Sequence, residues 1–311
     1  MPNSLKSSLV RRLKSSCLLP ALYTAITRPF SRRLRHLAPP AQLPKIPEHP
    51  KRVSVVVPNY NYGRYLETRI DSILNQTYPI FELIILDDAS TDNSKDIINH
   101  IISEQKNSSH DINIRFLPNR KNSGKSISQW QKGFEEAKGD YVWLAEADDL
   151  SDNNFLAILM EKFDQDPKLV LAYSNSVAIN SNGHTFLYDF MCHSVDKEKT
   201  RHWATDFLVD GQQEISTYLS RRCTIPNVSA AVFKNDPKIP FVKYLKDAKQ
   251  FTQVGDWYFY LQVLTHGKLA YSHQSLNFFR IHQNSATARS NRLKSATHAQ
   301  EIAQIQALFR E

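Results

Sequence analysis

The chain is poor in cysteine, and its cysteines lie far apart. Only Cys17, Cys192 and Cys223 occur among 311 residues. Their number is odd, and no pair shows a C-x-x-C spacing or the Cys/His spacing of a zinc site. The sequence therefore indicates neither a disulfide framework nor a structural zinc ion, and a reducing cytoplasm suits it best.

Long apolar runs and phosphate-binding glycine motifs are also missing. No stretch approaches the roughly 18 apolar residues of a membrane-spanning helix, and no signal-peptide layout is present. G-x-G-x-x-G does not follow the first predicted strand, and G-x-x-x-x-G-K-[ST] occurs nowhere. A dinucleotide-binding Rossmann site and a P-loop are therefore not expected.

Net positive charge is confined to the N-terminus. Residues 1–50 contain nine Lys or Arg and one acid, whereas residues 51–311 contain 30 basic and 30 acidic residues. A nucleic-acid-binding domain is expected to carry a basic face. We therefore expect no nucleic-acid partner for the folded part of the chain.

The basic tail has several interpretations. Apolar residues within 4–19 recur near helical spacing with basic residues between them, which is typical of a short amphipathic helix. Such a helix could lie on the anionic cytoplasmic face of the inner membrane. A mobile tail, a remnant of a longer polypeptide and an organellar transit peptide are the alternatives. Five prolines between Pro39 and Pro50 indicate a stiff linker, so we place a domain boundary near residue 50.

The rest of the chain has the pattern of an α/β domain. The chain is 41% hydrophobic and 23% charged, which is enough for a sizeable core. Short apolar runs alternate four times with helical patterns, which predicts a parallel sheet flanked by helices. The predicted strands lie at 53–57, 81–86, 112–117 and from 141, and the predicted helices lie at 65–75, about 90–103 and 126–137.

Polar clusters follow three of the predicted strands. The run that begins at Tyr141 ends in three carboxylates, Glu146, Asp148 and Asp149, and the other clusters lie at 58–61 and 87–88. Parallel sheets bind ligands beyond the carboxyl ends of their strands, so we expect the clusters to meet at one crevice. Carboxylates suit Mg2+ or Mn2+, which could hold a diphosphate there. The alternative is a solvated acidic turn.

Four motifs in order resemble the family 2 glycosyltransferases of the GT-A fold, of the bacterial cell-surface polysaccharide type. They are Val53 to Asn61, Ser72 to Thr77, Asp87 to Asp92 and Glu146 to Asp149. The resemblance covers about residues 52–285. It implies a mostly parallel central sheet flanked by helices, with a nucleotide-sugar-binding half at 51–150 and an acceptor half at 151–311.

The resemblance assigns roles in the donor site. Pro58 and Tyr60 would line the base pocket of a nucleotide-sugar, and Asp88 would bind the base or the ribose. Trp130 stands where this family often shows Asn, so no function is carried to it.

The same resemblance makes the acidic cluster a D-x-D motif. Asp148 would be the direct ligand of Mn2+ or Mg2+, which bridges to the diphosphate. Glu146 and Asp149 would contact the sugar, the ribose or metal-bound water. The first acid is Glu where Asp is commoner in the family.

In the acceptor half, an apolar helix opens with Gly255, Asp256 and Trp257, which resemble the family's E-D segment. Gly255 replaces the first acid. The resemblance makes Asp256 the catalytic base. Spacing alone would favour a helix N-cap, which stabilises by roughly 1 kcal/mol.

Two further segments resemble parts of this family. Phe279 to Ser285 is similar to Y-R-x-H-x-x-S, so Arg280 or His282 would steady the leaving diphosphate; the alternative is a structural Arg packed on a carboxylate. Asn227 lies in a turn where the family often contacts the acceptor. The polar region 180–214 is expected to form surface loops, which would include His184, His193, His202 and Trp203; the alternative is that these four residues line an acceptor pocket.

The resemblance implies an inverting, metal-assisted transfer from a nucleotide-sugar to a hydroxyl of a glycan or lipid-linked acceptor. A nucleotidyltransferase that makes a nucleotide-sugar could share the sheet and the acidic site. It usually has a Gly-rich, basic loop after the first strand, whereas residues 59–63 end only in Arg64. A non-catalytic sugar-binding module on this fold would be indicated by loss of the acids, and all of them are present.

Overall fold

The structure is a computed structural model, and it describes residues 43–106, 112–283, 285 and 296–309. The predicted amphipathic helix at 4–19 and the first part of the Pro-rich linker lie outside these residues. No helix within the described ranges is long and apolar enough to cross a membrane.

Strands and helices alternate through the first half, as predicted. The strands are β1 (Val53–Asn59), β2 (Glu82–Asp87), β3 (Asn113–Pro118) and β4 (Tyr141–Leu144). The helices between them are α1 (Gly63–Leu74), α2 (Ser94–Lys106) and α3 (Ser126–Glu136). Each predicted element is present, and the bounds differ by at most four residues.

The second half adds shorter strands and further helices. Its strands are β5 (Leu150–Ser151), β6 (Leu169–Ile179), β7 (Thr185–Leu187), β8 (Phe207–Asp210), β9 (Ala231–Lys234) and β10 (Lys268–Arg280). Its helices are α4 (Phe155–Gln165), α5 (Gly211–Glu214), α6 (Phe241–Ala248), α7 (Gly255–Leu264) and α8 (Ala296–Phe309). Short π-helical or 3-10 turns lie at Met191–Val195, His202–Ala204, Ile215–Leu219 and Val228–Ala230.

All ten strands form one sheet in the order β3-β2-β1-β4-β9-β6-β10-β5, with β7 beside β6 and β8 beside β10. The strands from β3 to β4 are mutually parallel, which confirms the predicted parallel half. Beyond β4 the sheet is mixed, because β9 runs antiparallel to both β4 and β6. The carboxyl ends of β1, β2 and β4 therefore share one edge.

Strand β1 continues through Pro58, where the sequence pattern had suggested its end. Pro58 pairs with Leu86 of β2, but the pairing with β4 stops at Val56 and Leu144. Proline has no backbone N–H, so it suits a position that needs no donor on one side. The extension carries Asn59 to the edge of the sheet.

Alternating strand residues divide the core between the two faces of the sheet. Val56 and Leu144 pack with helices α3, α6 and α7 on one face. Val55 and Trp143 pack with α1, α2 and α4 on the other. Both helical layers thus hold the central strands, and the strand ends, in fixed positions.

The prediction of surface loops at 180–214 is wrong for Trp203. This residue is only 4% exposed, and its indole Nε1 lies 2.8 Å from the Tyr173 hydroxyl oxygen. His202 is partly buried and stacks on Phe207 and Tyr218 at centroid distances of 4.1 and 4.4 Å. The region forms β7, β8 and helical turns that pack on β6 and β10. These core contacts were not predicted, because the sequence of the region is polar.

Candidate active site

The acidic turn follows β4 at the shared strand edge. Buried residues of β4 lead to Ala145, whose N–H lies 2.8 Å from the Val56 carbonyl oxygen. The chain then leaves the sheet. Glu146 and Asp148 are partly buried and Asp149 is buried, so the alternative of a solvated acidic turn is not what the structure shows. The turn presents three carboxylates in a largely enclosed setting.

Glu146 is held from two sides. Its Oε1 accepts a hydrogen bond from Trp130 Nε1 at 2.5 Å, and its backbone N–H donates to Ser229 Oγ at 3.0 Å. Burial, with a further contribution from the charge on Asp148, raises the pKa of Glu146 to about 8. The indole N–H favours the charged form. Trp130 thus contacts the acidic cluster, a role that the family resemblance of the sequence did not assign.

Asp149 ties two segments of the second half to the turn. Its Oδ1 accepts from the Arg280 N–H at 2.8 Å, and its Oδ2 accepts from Asn227 Nδ2 at 2.6 Å. Burial, followed by repulsion from Asp148, raises the pKa of Asp149 to about 7. Both carboxylate oxygens are occupied by the protein, so Asp149 organises the turn rather than reaching outward.

Arg280 makes structural contacts around the same turn. Its Nε donates to the Asp148 carbonyl oxygen at 2.5 Å, and its Nη1 donates to the Asn180 carbonyl oxygen at 2.8 Å. The guanidinium also lies over the Tyr65 ring, 4.5 Å from its centroid. The residue is 3% exposed, and burial lowers its pKa. These contacts favour the structural alternative for Arg280, although its partners are backbone oxygens.

His282 contacts the carboxylate of Asp148. The His282 Nε2 and Asp148 Oδ2 atoms are 3.0 Å apart, and the side chains are 8% and 13% exposed. The imidazole also contacts the edge of Tyr62 and the ring of Tyr65. The structure therefore places His282, and not the Arg280 guanidinium, directly against the Asp148 side chain.

The donor atoms at Asp148 fit a cation that takes most of its ligands from a substrate. A carboxylate is suitable for Mn2+ or Mg2+, and Mg2+ is often held by one or two carboxylates together with substrate phosphates. No group of three or more His, Cys, Asp or Glu within the described ranges is arranged to hold a metal by itself. A complete protein-only metal site is therefore absent from the described part.

A buried arginine side chain lies beneath the acidic turn. Arg69 of α1 is fully buried, and its guanidinium lies 5.0 Å from the centroid of a Trp143 ring. None of its side-chain nitrogens finds a hydrogen-bond partner among the described residues. Burial lowers the pKa of Arg69 to about 10, and the charges of Asp149, Asp148 and Glu146 oppose that shift. No role was predicted for Arg69, because its spacing in the helix is that of an ordinary surface residue.

The ends of β1 and β2 are joined by a network of short polar contacts. Asn59 Nδ2 donates to Asp87 Oδ1 at 2.8 Å, and Asn61 Oδ1 accepts from the Thr91 N–H at 2.8 Å. Asn61 and Ala89 both have positive φ, 57° and 61°. Such strained backbone is often found at binding sites.

The predicted donor-site residues have different exposures. Pro58 is buried in β1, while Tyr60 is 45% exposed at the edge of the sheet. Asp88 is 4% exposed, and it accepts from Asn119 Nδ2 at 2.7 Å and from the Ser123 hydroxyl at 2.7 Å. Asp88 thus fixes the loop between β3 and α3. Tyr60 is the member of this set that is open to a ligand.

Asp256 lies in the first turn of α7, and the N-cap position is Val254, which makes no side-chain capping hydrogen bond. The N-cap alternative for Asp256 is therefore not observed. Its carboxylate accepts from the Trp257 N–H at 2.8 Å, and burial raises its pKa. Tyr260, one turn further on, is fully buried, and its hydroxyl has no partner among the described residues. Tyr260 interacts electrostatically with both Asp256 and Glu146, which places α7 beside the acidic turn.

Close packing explains the glycine before Asp256. A Cβ on Gly255 would lie 2.4 Å from Ile127 Cδ1 and 2.9 Å from the Ala248 carbonyl oxygen. Contacts this short require the neighbours to move, and the carbonyl belongs to the backbone of α6. No acidic side chain fits at this position in the present packing.

Comparisons with known proteins give the family of the chain. The model of glycosyl transferase family 2 matches residues 54–221. An uncharacterised glycosyltransferase of Haemophilus influenzae is 31% identical over 245 residues, which cover 78% of this chain and 84% of the relative. Poly(ribitol-phosphate) beta-N-acetylglucosaminyltransferase TarP of Staphylococcus aureus is 37% identical over 102 residues, 32% of this chain and 29% of TarP.

The fold is also similar to a solved structure. S. aureus TarS 1-349, solved in complex with UDP-GlcNAc, superposes with a TM-score of 0.54 and 18% identity over 83% of this chain and 71% of that chain. The likeness confirms the predicted α/β architecture of the GT-A type. Together with the family match and the similarity across most of the H. influenzae relative, these findings show that the chain belongs to glycosyl transferase family 2.

Proposed function

We propose that this glycosyltransferase moves a sugar from a nucleotide-sugar to a hydroxyl of a glycan or lipid-linked acceptor in cell-surface polysaccharide synthesis, with inversion at the sugar carbon. The observation that carries the proposal is the enclosed acidic turn at the carboxyl end of β4, where Asp148 contacts His282. Family membership supports the reaction class. The basic residues 1–50 would hold the enzyme on the cytoplasmic face of a membrane.

The donor would lie across the ends of β1, β2 and β4. Tyr60 would cover the base, with Pro58 and Asp88 shaping the pocket behind it. The partly exposed Glu146 would contact the sugar or ribose. Asp149 and Arg280 would act indirectly, because their hydrogen bonds fix the turn.

Asp148 and His282 would hold Mn2+ or Mg2+ together with the donor diphosphate. A bound cation supplies electrostatic stabilisation of the charge that develops on the leaving diphosphate. The protein's own contribution is to fix the Asp148 carboxylate, since Arg280 holds its carbonyl and His282 its side chain. Positioned groups of this kind need no reorganisation during the reaction.

Asp256 would accept the proton of the acceptor hydroxyl as its oxygen attacks the donor carbon. Burial raises the pKa of Asp256, which brings it closer to the range in which a carboxylate works as a base. Its position in the first turn of α7, in the second half of the chain, supports an acceptor-side role.

The test is release of nucleoside diphosphate from a panel of nucleotide-sugars with Mn2+, Mg2+ or EDTA. UDP-GlcNAc is the first donor to try, because TarS was solved with it. Donor binding is followed in parallel by thermal shift, since hydrolysis without an acceptor is often slow. We expect metal-dependent release or stabilisation by one donor, lost in Asp148→Ala.

A nucleotidyltransferase is the outcome that would replace this proposal. It would bind nucleoside triphosphates under the same conditions and no nucleotide-sugar. Donor binding without transfer to any acceptor, and with no effect of Asp256→Asn, would instead indicate a sugar-binding module.

A further inference from the structure

A group of exposed cations lies on one surface of the acceptor half. Arg222 is 3.9 Å from the Glu198 carboxylate, which places residues 221 and 222 beside the loop at 197–201. The group consists of Lys197, Lys199, Arg201, Arg221 and Arg222, and we call it the basic rim. Every member is exposed except Arg222, which is partly buried.

The charge of the basic rim is poorly compensated. Asp196 is nearby, but its carboxylate is buried and accepts from the Thr200 N–H at 2.8 Å and the Arg201 N–H at 3.0 Å. Glu198 is the remaining acid in these two segments, and it is 61% exposed. Lysines elsewhere in the fold make close ion pairs, such as Lys268 with Asp166 at 2.7 Å. Four exposed cations and the partly buried Arg222, which also interacts with Asp196, therefore have one exposed carboxylate among them.

The backbone of the rim is fixed in a strained form. Lys199 and Arg201 have φ values of 53° and 61°, in the left-handed region. Non-glycine residues adopt this region at a cost, and such strain concentrates at functional sites. The other non-glycine residues with positive φ in the described ranges, Asn61 and Ala89, lie in the donor turns. Asp196 holds the strained loop through its hydrogen bonds.

The rim borders the candidate base. Trp257, which follows Asp256, donates from Nε1 to the Leu219 carbonyl oxygen at 2.7 Å. Residues 219–222 are thereby held against the start of α7. Further along the same segment, Asn227 reaches Asp149 of the acidic turn. The rim thus adjoins a chain segment that links the base to the donor site.

We propose that the basic rim binds anionic groups of the acceptor, so that the acceptor is a phosphate- or carboxylate-bearing polymer and not a neutral glycan. Arginine pairs with either anion through two parallel N–H donors. An extended acceptor anchored on the rim would direct a nearby hydroxyl toward Asp256. The inference rests on the proposed function, since it takes the Asp256 side as the acceptor side.

The test is polymer binding by three forms of the full chain. They are the wild type, the rim variant Arg201→Gln/Arg221→Gln/Arg222→Gln, and a matched control that loses the same charge in the tail, Arg32→Gln/Arg33→Gln/Arg35→Gln. The probes are a poly(glycerol phosphate) oligomer, an oligogalacturonate and a neutral dextran oligomer of equal length. Calorimetry at low and high salt measures the affinity, and thermal shift with UDP-GlcNAc and the rest of the donor panel is measured on the same samples.

We expect the wild type and the tail variant to bind one or both polyanions, and the rim variant to bind about tenfold more weakly and with a smaller salt dependence. The probe that binds more tightly identifies the anion. Equal binding by all three proteins, loss in the tail variant only, or equally tight binding of dextran by the wild type would overturn the proposal.

Two controls separate this result from other failures. If the rim variant does not fold, Lys197→Gln/Lys199→Gln replaces it, because both side chains are exposed. Donor binding must be unchanged in the rim variant. A wild type that binds polyanions through the rim but no nucleotide-sugar would contradict the proposed function and leave anion binding by the rim intact.

Discussion

The indole nitrogen of Trp130 and a carboxylate oxygen of Glu146 are 2.5 Å apart, so a side chain from α3 determines the setting of the first acid in the turn after β4. The indole N–H favours the charged form of this carboxyl group over its protonated form. Glu146 is partly buried, so water is a poor replacement for the Trp130 indole as its hydrogen-bond partner. Trp130 therefore links the α3 layer of the core to the donor site.

Replacing Trp130 with Phe should weaken donor binding. The change removes the N–H and keeps an aromatic ring, so the pKa of Glu146, already raised by burial, should rise further. Titration calorimetry with the donor, from low to high pH, measures the effect. Trp203→Phe is the matched control, because it also removes a buried indole hydrogen bond but lies outside the acidic cluster. Equal donor affinity in the two variants would contradict the assignment.

Replacing Asp256 with Asn should abolish transfer without affecting donor binding. Loss of a general base lowers the rate by about 10²–10⁴-fold. Since burial raises the pKa of Asp256, the rate of the wild type should fall as pH drops through a value above that of an ordinary aspartate. Single-turnover rates across pH check both points. Asp247→Asn, in the preceding helix, serves as the control, and an unchanged rate in Asp256→Asn would identify another base.

The metal-free protein should lose stability as pH rises from about 5 to about 8. The pKa of Glu146 is raised to about 8 and that of Asp149 to about 7, so the folded state keeps protons that the unfolded chain has released. Folding is therefore favoured at the acidic end of this window. Thermal melts in EDTA measure the slope, which Glu146→Gln should reduce. The surface variant Glu135→Gln should follow the wild type.

Glu301 of α8 should stabilise the start of α7. Its Oε1 and Oε2 atoms accept from the Thr252 and Gln253 N–H groups at 2.8 and 2.9 Å, and the residue is 6% exposed. Glu301→Ala should cost about 2–3 kcal/mol, because two part-buried backbone hydrogen bonds lose a charged acceptor. Hydrogen exchange at 250–256 should accelerate as well. Chemical denaturation measures the loss, and the exposed Gln304→Ala should leave both readouts unchanged.

The sequence predicted the features that local chemistry determines. Apolar runs marked the central strands, and the acids after Tyr141 marked the edge at which the β1, β2 and β4 ends meet. The same pattern could not show that the Asp149 carboxylate accepts hydrogen bonds from Arg280 and Asn227. These two residues are 131 and 78 positions away in the chain. Such pairings depend on how β10 and β9 enter the sheet.

The positions of two other residues were not predicted from the sequence for the same reason. Trp203 lies among polar neighbours in sequence, yet it packs against Tyr173 of β6. Arg69 has an ordinary place in an amphipathic helix, and only the tertiary fold sets it beside Trp143 and the acids. A residue whose partners come from distant elements leaves little trace in its local pattern.

The close contacts of Gly255 also restrict which residues this position can accept. Ile127 Cδ1 could move aside, but the Ala248 carbonyl belongs to the backbone of α6. A single Gly255→Glu change would therefore meet a steric barrier before it could offer any catalytic benefit. A larger residue at this position would require prior changes in α3 and α6, so the packing of these two helices keeps the position to glycine.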